Sequence, residues 1–372
     1  MKIARIETIP LAIPHDHGGP PPAWGGQAWQ GLTILLVRVE TEDGASGWGE
    51  GFSYNCMPAL QAVIDTTVAP ILIGRDATDI ASLNRDLQQA LHLFGRYGIT
   101  MFGISAIDIA LWDLAGKRAG MPLAQLLGGP ATPPLVPGYA SLLKYRDREL
   151  VAATVRAALD EGYPAIKLHE TGEPEIAAAR EAMGTDMPLC TDTNCPWTPV
   201  EAHAMAARLK PYDLYWLEEP IFPPEDFGAL ARLQQESGID LACGENACTA
   251  FEFRRMLDAG AVRYVQPSAT KVGGVTEFLK VLALAEGYDV TVMPHSPYFG
   301  PGWLATLQLL GAMPLTGRPG GGWAERFYTK LEATLYPGFV SPHENGHFRI
   351  PTGPGLGAEP DPDIIRDYRM PA

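Results

Sequence analysis

The pattern of apolar and polar residues changes near residue 135. Before that point, residues 1–13 and 31–40 alternate as strands do, and a turn at Asp43-Gly44 follows the second of them. Apolar residues then recur every three or four positions in three stretches that predict helices, at 58–73, 76–94 and 99–119. The N-terminal part is therefore predicted to be an α+β unit, with a small sheet followed by helices.

After residue 135, a short apolar run and an amphipathic helix alternate repeatedly. The predicted strands lie at 135–140, 164–168, 187–192, 213–218, 239–244, 262–266, 289–294 and 322–325. Predicted helices between them cover 148–160, 174–183, 199–209, 224–236, 249–259, 274–286 and 301–313. This repeat is typical of an α/β barrel. We predict a capping domain at 1–130, a barrel at 131–330 and a segment at 331–372 that returns to the capping domain, with a strand and turn in FRIPTGPGLG.

Three acidic residues end consecutive predicted strands. Asp192, Glu218 and Glu245 are 26 and 27 residues apart, which is roughly the length of one strand, one helix and two loops. The carboxyl ends of barrel strands converge on one face, where the chemistry of such barrels lies. Three hard oxygen ligands suit Mg²⁺. The sequence therefore predicts a magnesium site at this face.

Basic groups end two other predicted strands. Lys167 and His169 are two positions apart, so both side chains should point into the barrel, where packing alone would favour apolar residues. His295 ends the seventh strand and could place an acid or base on the opposite side of a substrate. Asn194 should point the same way as Asp192 and could bind a substrate oxygen. Glu325 could donate a hydrogen bond if it is protonated.

The loop at 14–30 is rich in Gly and Pro, which exclude regular structure. A loop of this length is either a lid over a site or a floppy surface segment, and both interpretations stay open here. It contains Trp24, which we take with Tyr54 of the Gly51–Pro58 loop as a candidate substrate contact. His15 and His17 could also suggest a metal site, but no third ligand is nearby.

Composition narrows the class of protein. The 372 residues carry a net charge of −15, which disfavours binding to nucleic acid. The five cysteines include no tight CxxC pair, and the N-terminus has no apolar signal core, so we expect reduced thiols in a cytoplasmic protein. No run reaches the roughly 18 apolar residues of a membrane span.

Several motifs together resemble the enolase superfamily, in its mandelate racemase-like subgroup, over nearly the whole chain. They are LWDLAGKRAGMPLAQLLGG, IKLH, Asp192 with Asn194, Trp216-Leu217-Glu218-Glu219-Pro220, Gly244-Glu245-Asn246, Gln266-Pro267 before Lys271-Val272-Gly273-Gly274, and His295. The resemblance implies an α+β cap over a modified (β/α)₇β barrel and Mg²⁺ on Asp192, Glu218 and Glu245. It also implies abstraction of the proton α to a carboxylate through a metal-stabilised enediolate, and a homo-oligomer. Lys271 is taken as a further substrate-binding residue.

Two positions depart from the subgroup. His169 stands where a second lysine is usual, and Ser268 stands where an aspartate usually supports the histidine of strand seven. The first change lowers the reference pKa of a possible base from ~10.4 to ~6.5. The second removes a carboxylate that would orient His295. The base can therefore be Lys167, His169 or His295.

We expect a lyase that dehydrates a hydroxy acid or acid sugar. A racemase, epimerase or cycloisomerase of a carboxylate substrate uses the same first step and is the alternative. A zinc hydrolase would want an HxH motif on the first barrel strand, where VPGYAS has none. A non-catalytic descendant of the fold would usually have lost one of the three acids, and all three are present.

Overall fold

The computed structural model describes residues 1–21, 23–24, 27–29, 31–313 and 322–371, without the side chains of residues 23, 24 and 27. The N-terminal unit begins with six strands. They are β1 (Ile3–Ile13), β2 (His15–Asp16), β3 (Ala23–Trp24), β4 (Gln27–Ala28), β5 (Leu32–Thr41) and β6 (Ser46–Gly51). β5 lies between β1 and β6 in one antiparallel sheet, with Ile9 opposite Leu36.

The third strand of this sheet, β6, was missed by the sequence analysis, which placed only a turn there. Three alternate residues of β6 are glycines, which normally weaken a strand. The structure explains them, because a Cβ on Gly47 would lie 2.1 Å from the Ala110 carbonyl oxygen and one on Gly49 would lie 1.9 Å from that of Ala106. The glycines let a long helix lie directly on the sheet.

Helices complete the cap, and all but the last of them lie in the three stretches that the periodicity predicted. They are α1 (Met57–Val63), α2 (Ala69–Leu72), α3 (Ile80–Ala90), α4 (Gly98–Ala119) and α5 (Leu123–Leu126), with a π-helical turn at Ile64–Val68 joining the first two. Among the described helices, α4 alone is long and apolar enough to cross a membrane, and 72% of that stretch is buried inside the protein. It is the central helix of the cap.

The barrel contains eight parallel strands in the order β13-β12-β11-β10-β9-β8-β7-β14. The strands are β7 (Val136–Ser141), β8 (Ile166–Leu168), β9 (Leu189–Asp192), β10 (Trp216–Glu218), β11 (Leu241–Cys243), β12 (Tyr264–Val265), β13 (Thr291–Val292) and β14 (Ala324–Phe327). The eight strands therefore form the predicted parallel barrel, with the last strand beside the first.

Seven helices follow the first seven barrel strands. They are α6 (Arg148–Asp160), α7 (Glu173–Met183), α8 (Pro199–Leu209), α9 (Phe227–Ser237), α10 (Thr249–Asp258), α11 (Gly274–Gly287) and α12 (Pro301–Ala312). Several begin with side-chain caps. Thr198 and Glu201 form a capping box at α8, and Asp147 accepts the first backbone N–H groups of α6.

The C-terminal segment contains β15 (Lys330–Leu331), β16 (His347–Phe348) and α13 (Pro362–Asp367). It contacts both units. Phe348 pairs with Val136 of β7, and the Met370 amide donates to the Pro10 carbonyl of β1. Of the predicted strand in FRIPTGPGLG, only Phe348 is in a strand, because the prolines that follow cannot donate to a ladder.

Buried carboxylates join the cap to the rest of the molecule. Asp108 of α4 accepts from the Thr276 amide of α11, and Asp113 accepts from the amides of Trp48 and Leu356. Glu50 of β6 accepts from the Gly302 amide at the start of α12. These contacts hold the cap over the carboxyl ends of the barrel strands.

Candidate active site

The barrel interior is built in layers. Its lower layer is an apolar cluster with one residue from each strand position, namely Tyr139, Ala165, Cys190, Trp216, Ala242, Tyr264, Met293 and Trp323. Side chains two positions apart on a strand share a face. The next layer therefore contains Ser141, Lys167, Asp192, Glu218, Gly244, Gln266, His295 and Glu325. The chemistry lies directly on top of a closed apolar floor.

The three predicted acids come together at this layer, with Asp192 and Glu218 in it and Glu245 directly after Gly244. Oxygen atoms of Asp192, Glu218 and Glu245 lie within 4.8 Å of one another, and they form the one such group of possible metal ligands among the described residues. Burial raises the pKa of Glu218 to about 8, with Asp192 adding to the shift and Lys167 opposing it. Burial also raises the pKa of Asp192 to about 6. Crowded, buried carboxylates of this kind fit a hard divalent cation.

Lys167 is fully buried between carboxylates. Its Nζ lies 2.7 Å from Glu325 Oε1, 3.0 Å from Glu218 Oε1 and 3.5 Å from Asp192 Oδ2. Burial alone would lower the pKa of Lys167, but these carboxylates outweigh it and raise the pKa well above its usual range. The charges of the protein's own groups therefore favour the positively charged form of Lys167.

His169 lies beside Lys167 on the same flank. Its Nδ1 is 2.7 Å from the Leu142 carbonyl oxygen, which can only accept, so Nδ1 carries the proton. Nε2 lies 3.5 Å from Asp192 Oδ2. Burial and the charge of Lys167 lower the pKa of His169 to about 4. Burial therefore favours the neutral ring, in which Nδ1 carries the proton.

His295 lies on the opposite flank. Its Nε2 is 3.0 Å from Glu245 Oε2, and its Nδ1 is 3.1 Å from the hydroxyl of Tyr298. Lys271 extends the flank, 3.6 Å from Glu245 Oε1 and 3.2 Å from Asn246 Oδ1. Burial alone would raise the pKa of Glu245, but His295 and Lys271 hold it well below its usual range. Basic groups thus face the carboxylates from two sides.

The cap contributes aromatic residues to this face. The Phe52 ring lies 4.5 Å from Lys271 Nζ, and Tyr54 packs against Phe52 and Trp29 with ring centroids 4.3 and 4.5 Å apart. The Tyr54 hydroxyl is buried and has no hydrogen-bond partner among the described residues. A buried polar atom of this kind suits a ligand contact. The side chain of Trp24 lies outside the described part of the chain.

The described part of the 14–30 loop packs onto the barrel. The Tyr145 hydroxyl donates to the His17 carbonyl, His15 Nδ1 lies 3.1 Å from Thr329 Oγ1, and β2 pairs with β15. Trp29 also packs near Phe327, with ring centroids 6.2 Å apart. These contacts place the loop ends where a lid would be anchored, and they argue against the floppy-segment interpretation for those residues.

Two predicted residues differ from the expectation, Asn194 in its placement and Glu325 in its pairing. The alternation used to place Asn194 stops when β9 ends at Asp192, and Asn194 is exposed, with a φ of 53° and its backbone N–H donating to Asp192. Glu325 accepts hydrogen bonds from Ser141 and the Ser296 amide as well as pairing with Lys167. Although burial alone would raise the pKa of Glu325, Lys167 and His295 lower it overall, which favours the carboxylate form over the protonated donor.

Three supporting residues were not predicted. Trp216 donates from Nε1 to Glu218 at 2.9 Å, Ser141 donates to Glu325, and Tyr298 contacts His295. Trp216 and Ser141 could have been found from the two-residue alternation, since each lies on the inward face of its strand. Tyr298 follows a strand end, where alternation gives no information.

Comparison with known proteins identifies the family. Residues 23–128 match the mandelate racemase / muconate lactonizing enzyme N-terminal domain, and residues 150–364 match the enolase C-terminal domain-like family. The chain belongs to the mandelate racemase / muconate lactonizing enzyme family. The predicted membership of the enolase superfamily is therefore confirmed, as is the modified barrel under an α+β cap.

Relatives within this family are named for several different enzyme activities. The chain is 37% identical over 280 residues to a 3,6-anhydro-alpha-L-galactonate cycloisomerase of Streptomyces coelicolor, covering 72% of this chain and 76% of the relative. It is 30% identical to an arabinonate dehydratase of Saccharolobus solfataricus, covering 92% of each. A crystal structure of a racemase from Streptomyces coelicolor with bound magnesium has a TM-score of 0.83 and 31% identity, covering 99% of this chain and all of that one.

Proposed function

We propose that this protein removes the proton α to the carboxylate of a sugar-derived acid, and that loss of water from the substrate follows. The observation that carries the proposal is the arrangement of Asp192, Glu218 and Glu245 between two flanks of basic side chains. The dehydratase and cycloisomerase names of the relatives support an acid-sugar substrate for this enzyme family.

Asp192, Glu218 and Glu245 would hold Mg²⁺, and the donor chemistry of three hard oxygen ligands fits that ion. When bound, Mg²⁺ supplies positive charge that offsets the negative charge developing on the substrate carboxylate as the α-proton leaves. Trp216 orients one of the ligands through its hydrogen bond to Glu218.

The flanks divide the proton chemistry. His169 and Lys167 lie side by side on one flank, with Lys167 held there by carboxylates, and the α-proton leaves towards this side. His295 faces the substrate from the other side. The cap residues Phe52 and Tyr54 close the site from above and exclude water. We propose Tyr54, Lys271 and Asn194 as substrate contacts, with Trp24 as a further one from the loop.

Two outcomes share this first step. In dehydration, the α-carbon loses a proton and the neighbouring carbon loses hydroxide, so that one water leaves and a 2-keto-3-deoxy acid forms after tautomerisation. In cycloisomerisation, no atoms are lost. The similarity to the Streptomyces cycloisomerase keeps this second outcome as the alternative.

Proton NMR in D₂O with Mg²⁺ tests the proposal against a library of aldonic, aldaric and anhydro-sugar acids. We expect deuterium at the α-carbon or loss of the α-proton signal with at least one acid, and the product spectrum then distinguishes a keto acid from an isomer. Glu245→Gln should abolish both this reaction and Mg²⁺ binding measured by calorimetry. The exposed substitution Glu286→Gln is the matched control. Wild-type protein that binds no Mg²⁺ would contradict the proposal.

Other properties of the protein remain predictions. We propose the capping unit at 1–130, the barrel at 131–330 and the returning segment at 331–372 as the domain division. A homo-oligomer and a cytoplasmic location are expected from the resemblance and the cysteine usage, and sedimentation and fractionation measurements would check them.

A further inference from the structure

A cleft on the outer side of the barrel lies apart from the candidate active site. Each of the first seven barrel strands is followed by a helix, whereas β14 is followed by the short strands β15 and β16. The place that an eighth helix would fill is left as a cleft of about 680 Å³ between α6, residues 326–334 and the loop residues 16–18. We call it the α6 cleft. Its volume is in the range of pockets that hold small molecules.

Arg326 lies in the wall of the α6 cleft and points away from the three carboxylates of the active site. It stands between Glu325 and Phe327 on β14, and since neighbouring strand residues point to opposite faces, its side chain lies on the helix side of the barrel. Its Cζ lies 3.6 Å from the centre of the Phe299 ring and 5.7 Å from that of Trp303 in α12. Arg326 is only 5% exposed, so it is a buried cation outside the active site.

The hydrogen bonds of Arg326 are incomplete when compared with those of Arg180, which is also buried. Arg180 donates to four backbone carbonyls, each at 2.8 or 2.9 Å. Arg326 donates to one, that of Tyr298, at 3.3 Å, and no carboxylate of the described residues pairs with it. A guanidinium has five N–H donors in its plane, so stacking on Phe299 does not satisfy the others. Buried donors without partners are rare, which makes these candidates for contact with a ligand.

A second buried nitrogen in the α6 cleft also lacks a partner. His17 lines the cleft from the 14–30 loop, and its Nε2 is buried with no hydrogen-bond partner among the described residues. Its ring stacks on Tyr145, with centroids 5.5 Å apart, which fixes its orientation. An imidazole nitrogen can donate to a ligand or accept from it. Two incompletely bonded polar groups therefore line the same cleft.

The other residues of the α6 cleft restrict the class of ligand. Apolar side chains line it, among them Leu150 and Ala157 of α6. Three exposed carboxylates lie at its edge, on Asp16, Glu161 and Glu332. Apolar walls suit a hydrocarbon or aromatic body, and the acidic edge repels a ligand that carries more than one negative charge.

We propose that the α6 cleft binds an organic acid with a single carboxylate and an apolar body, and that Arg326 donates to this carboxylate. Arginine and carboxylate groups form strong, charge-assisted hydrogen bonds of this kind. The bound acid would also contact the base of the 14–30 loop, where β2 pairs with β15. The proposal is independent of the proposed function, because none of the residues proposed to act on the substrate lines the cleft.

An NMR titration of the full-length protein with phenylacetate tests the proposal, and phenylacetamide is the uncharged control of similar shape. We expect phenylacetate to bind with a Kd of about 1 mM or tighter and phenylacetamide to bind at least about tenfold more weakly. Phenyl phosphate, which carries more negative charge, should also bind more weakly than phenylacetate. Phenylacetate binding should persist without Mg²⁺ and in Glu245→Gln, since the metal ligands lie outside the cleft.

Two variants assign the binding to the α6 cleft. Arg326→Met should weaken phenylacetate binding at least about tenfold. Ala157→Trp fills the cleft from an exposed position on α6, so it should have the same effect without removing a buried side chain. Arg156→Trp, at the neighbouring exposed position outside the cleft, is the matched control and should bind phenylacetate as the wild type does.

Several results would overturn the proposal. They are no binding of phenylacetate to the wild type, equal affinity for phenylacetate and phenylacetamide, and unchanged phenylacetate binding in Ala157→Trp. Binding that disappears in Glu245→Gln would place the acid in the active site instead. A higher affinity for phenyl phosphate than for phenylacetate would overturn the assignment to an acid with one negative charge.

Discussion

His169 and His295 lie on opposite sides of the same three carboxylates, yet the groups behind their rings differ. His169 Nδ1 donates to the Leu142 backbone carbonyl, and its Nε2 lies 3.5 Å from Asp192 Oδ2. His295 Nδ1 instead lies 3.1 Å from the hydroxyl of Tyr298, and its Nε2 lies 3.0 Å from Glu245 Oε2. The difference shows that residue type alone does not assign a base, because the atoms behind the ring decide which nitrogen can accept a proton.

The largest effect is expected from substituting Lys167, the positively charged residue on the same flank as His169. Lys167→Met should lower kcat/KM more than about 10³-fold, since it removes a group facing the reacting carbon. It also leaves Glu218 and Glu325 buried without their partner, which should cost about 3 kcal/mol of unfolding free energy. Kinetics and denaturant unfolding measure these losses.

A surface lysine provides the control for this variant. Lys2, which is exposed, should tolerate the same substitution with little effect. Added Mg²⁺ should restore part of the lost stability in Lys167→Met because it replaces positive charge among the carboxylates. Equal turnover in Lys167→Met and the wild type would show that Lys167 is not needed for the reaction.

Substituting His295, on the opposite flank, should have a smaller effect on turnover. His295→Asn should lower kcat about 10²-fold, because it removes the group that faces the substrate from this side but leaves Lys167 and His169 in place. Its melting temperature should stay close to that of His343→Asn, a control at an exposed position. A loss as large as that of Lys167→Met would show that His295 also takes the α-proton.

The protonation of His169 can be tested by the pH dependence of stability. Its pKa falls from 6.5 to about 4 on folding, so the unfolded chain binds the extra proton and stability declines as the pH drops from 6.5 towards 4. Between pH 7 and pH 5 this group should cost about 2 kcal/mol, which His169→Asn should remove. Denaturant unfolding at both pH values measures the difference, with His92→Asn as control. Identical pH dependence in variant and wild type would contradict the neutral ring.

The smallest effect concerns the cap, which covers both flanks. Tyr54→Phe removes a buried hydroxyl that has no partner among the described residues, so stability should stay unchanged or rise by about 1 kcal/mol. If the hydroxyl binds the substrate, KM should increase about tenfold with kcat nearly unchanged. Tyr336→Phe should leave KM unaltered. An unchanged KM in Tyr54→Phe would exclude this contact.

The sequence predicted the parts of the structure that follow strand and helix periodicity. The helix bounds of α6 and α8 and the convergence of Asp192, Glu218 and Glu245 follow from regular spacing. Strand β6 was missed because its glycines meet α4, a contact that no local pattern reveals. The position of Asn194 was wrong because alternation ends with the strand. The pairing of Glu325 with Lys167 depends on neighbours distant in the chain, and Tyr298 lies past the end of a strand, so periodicity could find neither.

The most direct test of the account compares α-deuterium exchange in Lys167→Met, His169→Asn and His295→Asn. Each variant is incubated with the substrate in D₂O and Mg²⁺, and the α-proton signal is followed by NMR. The account predicts that His295→Asn still exchanges the α-proton within about tenfold of the wild-type rate, while exchange in Lys167→Met is more than about 10³-fold slower. α-Proton exchange that survives in Lys167→Met and in His169→Asn but disappears in His295→Asn would contradict the account.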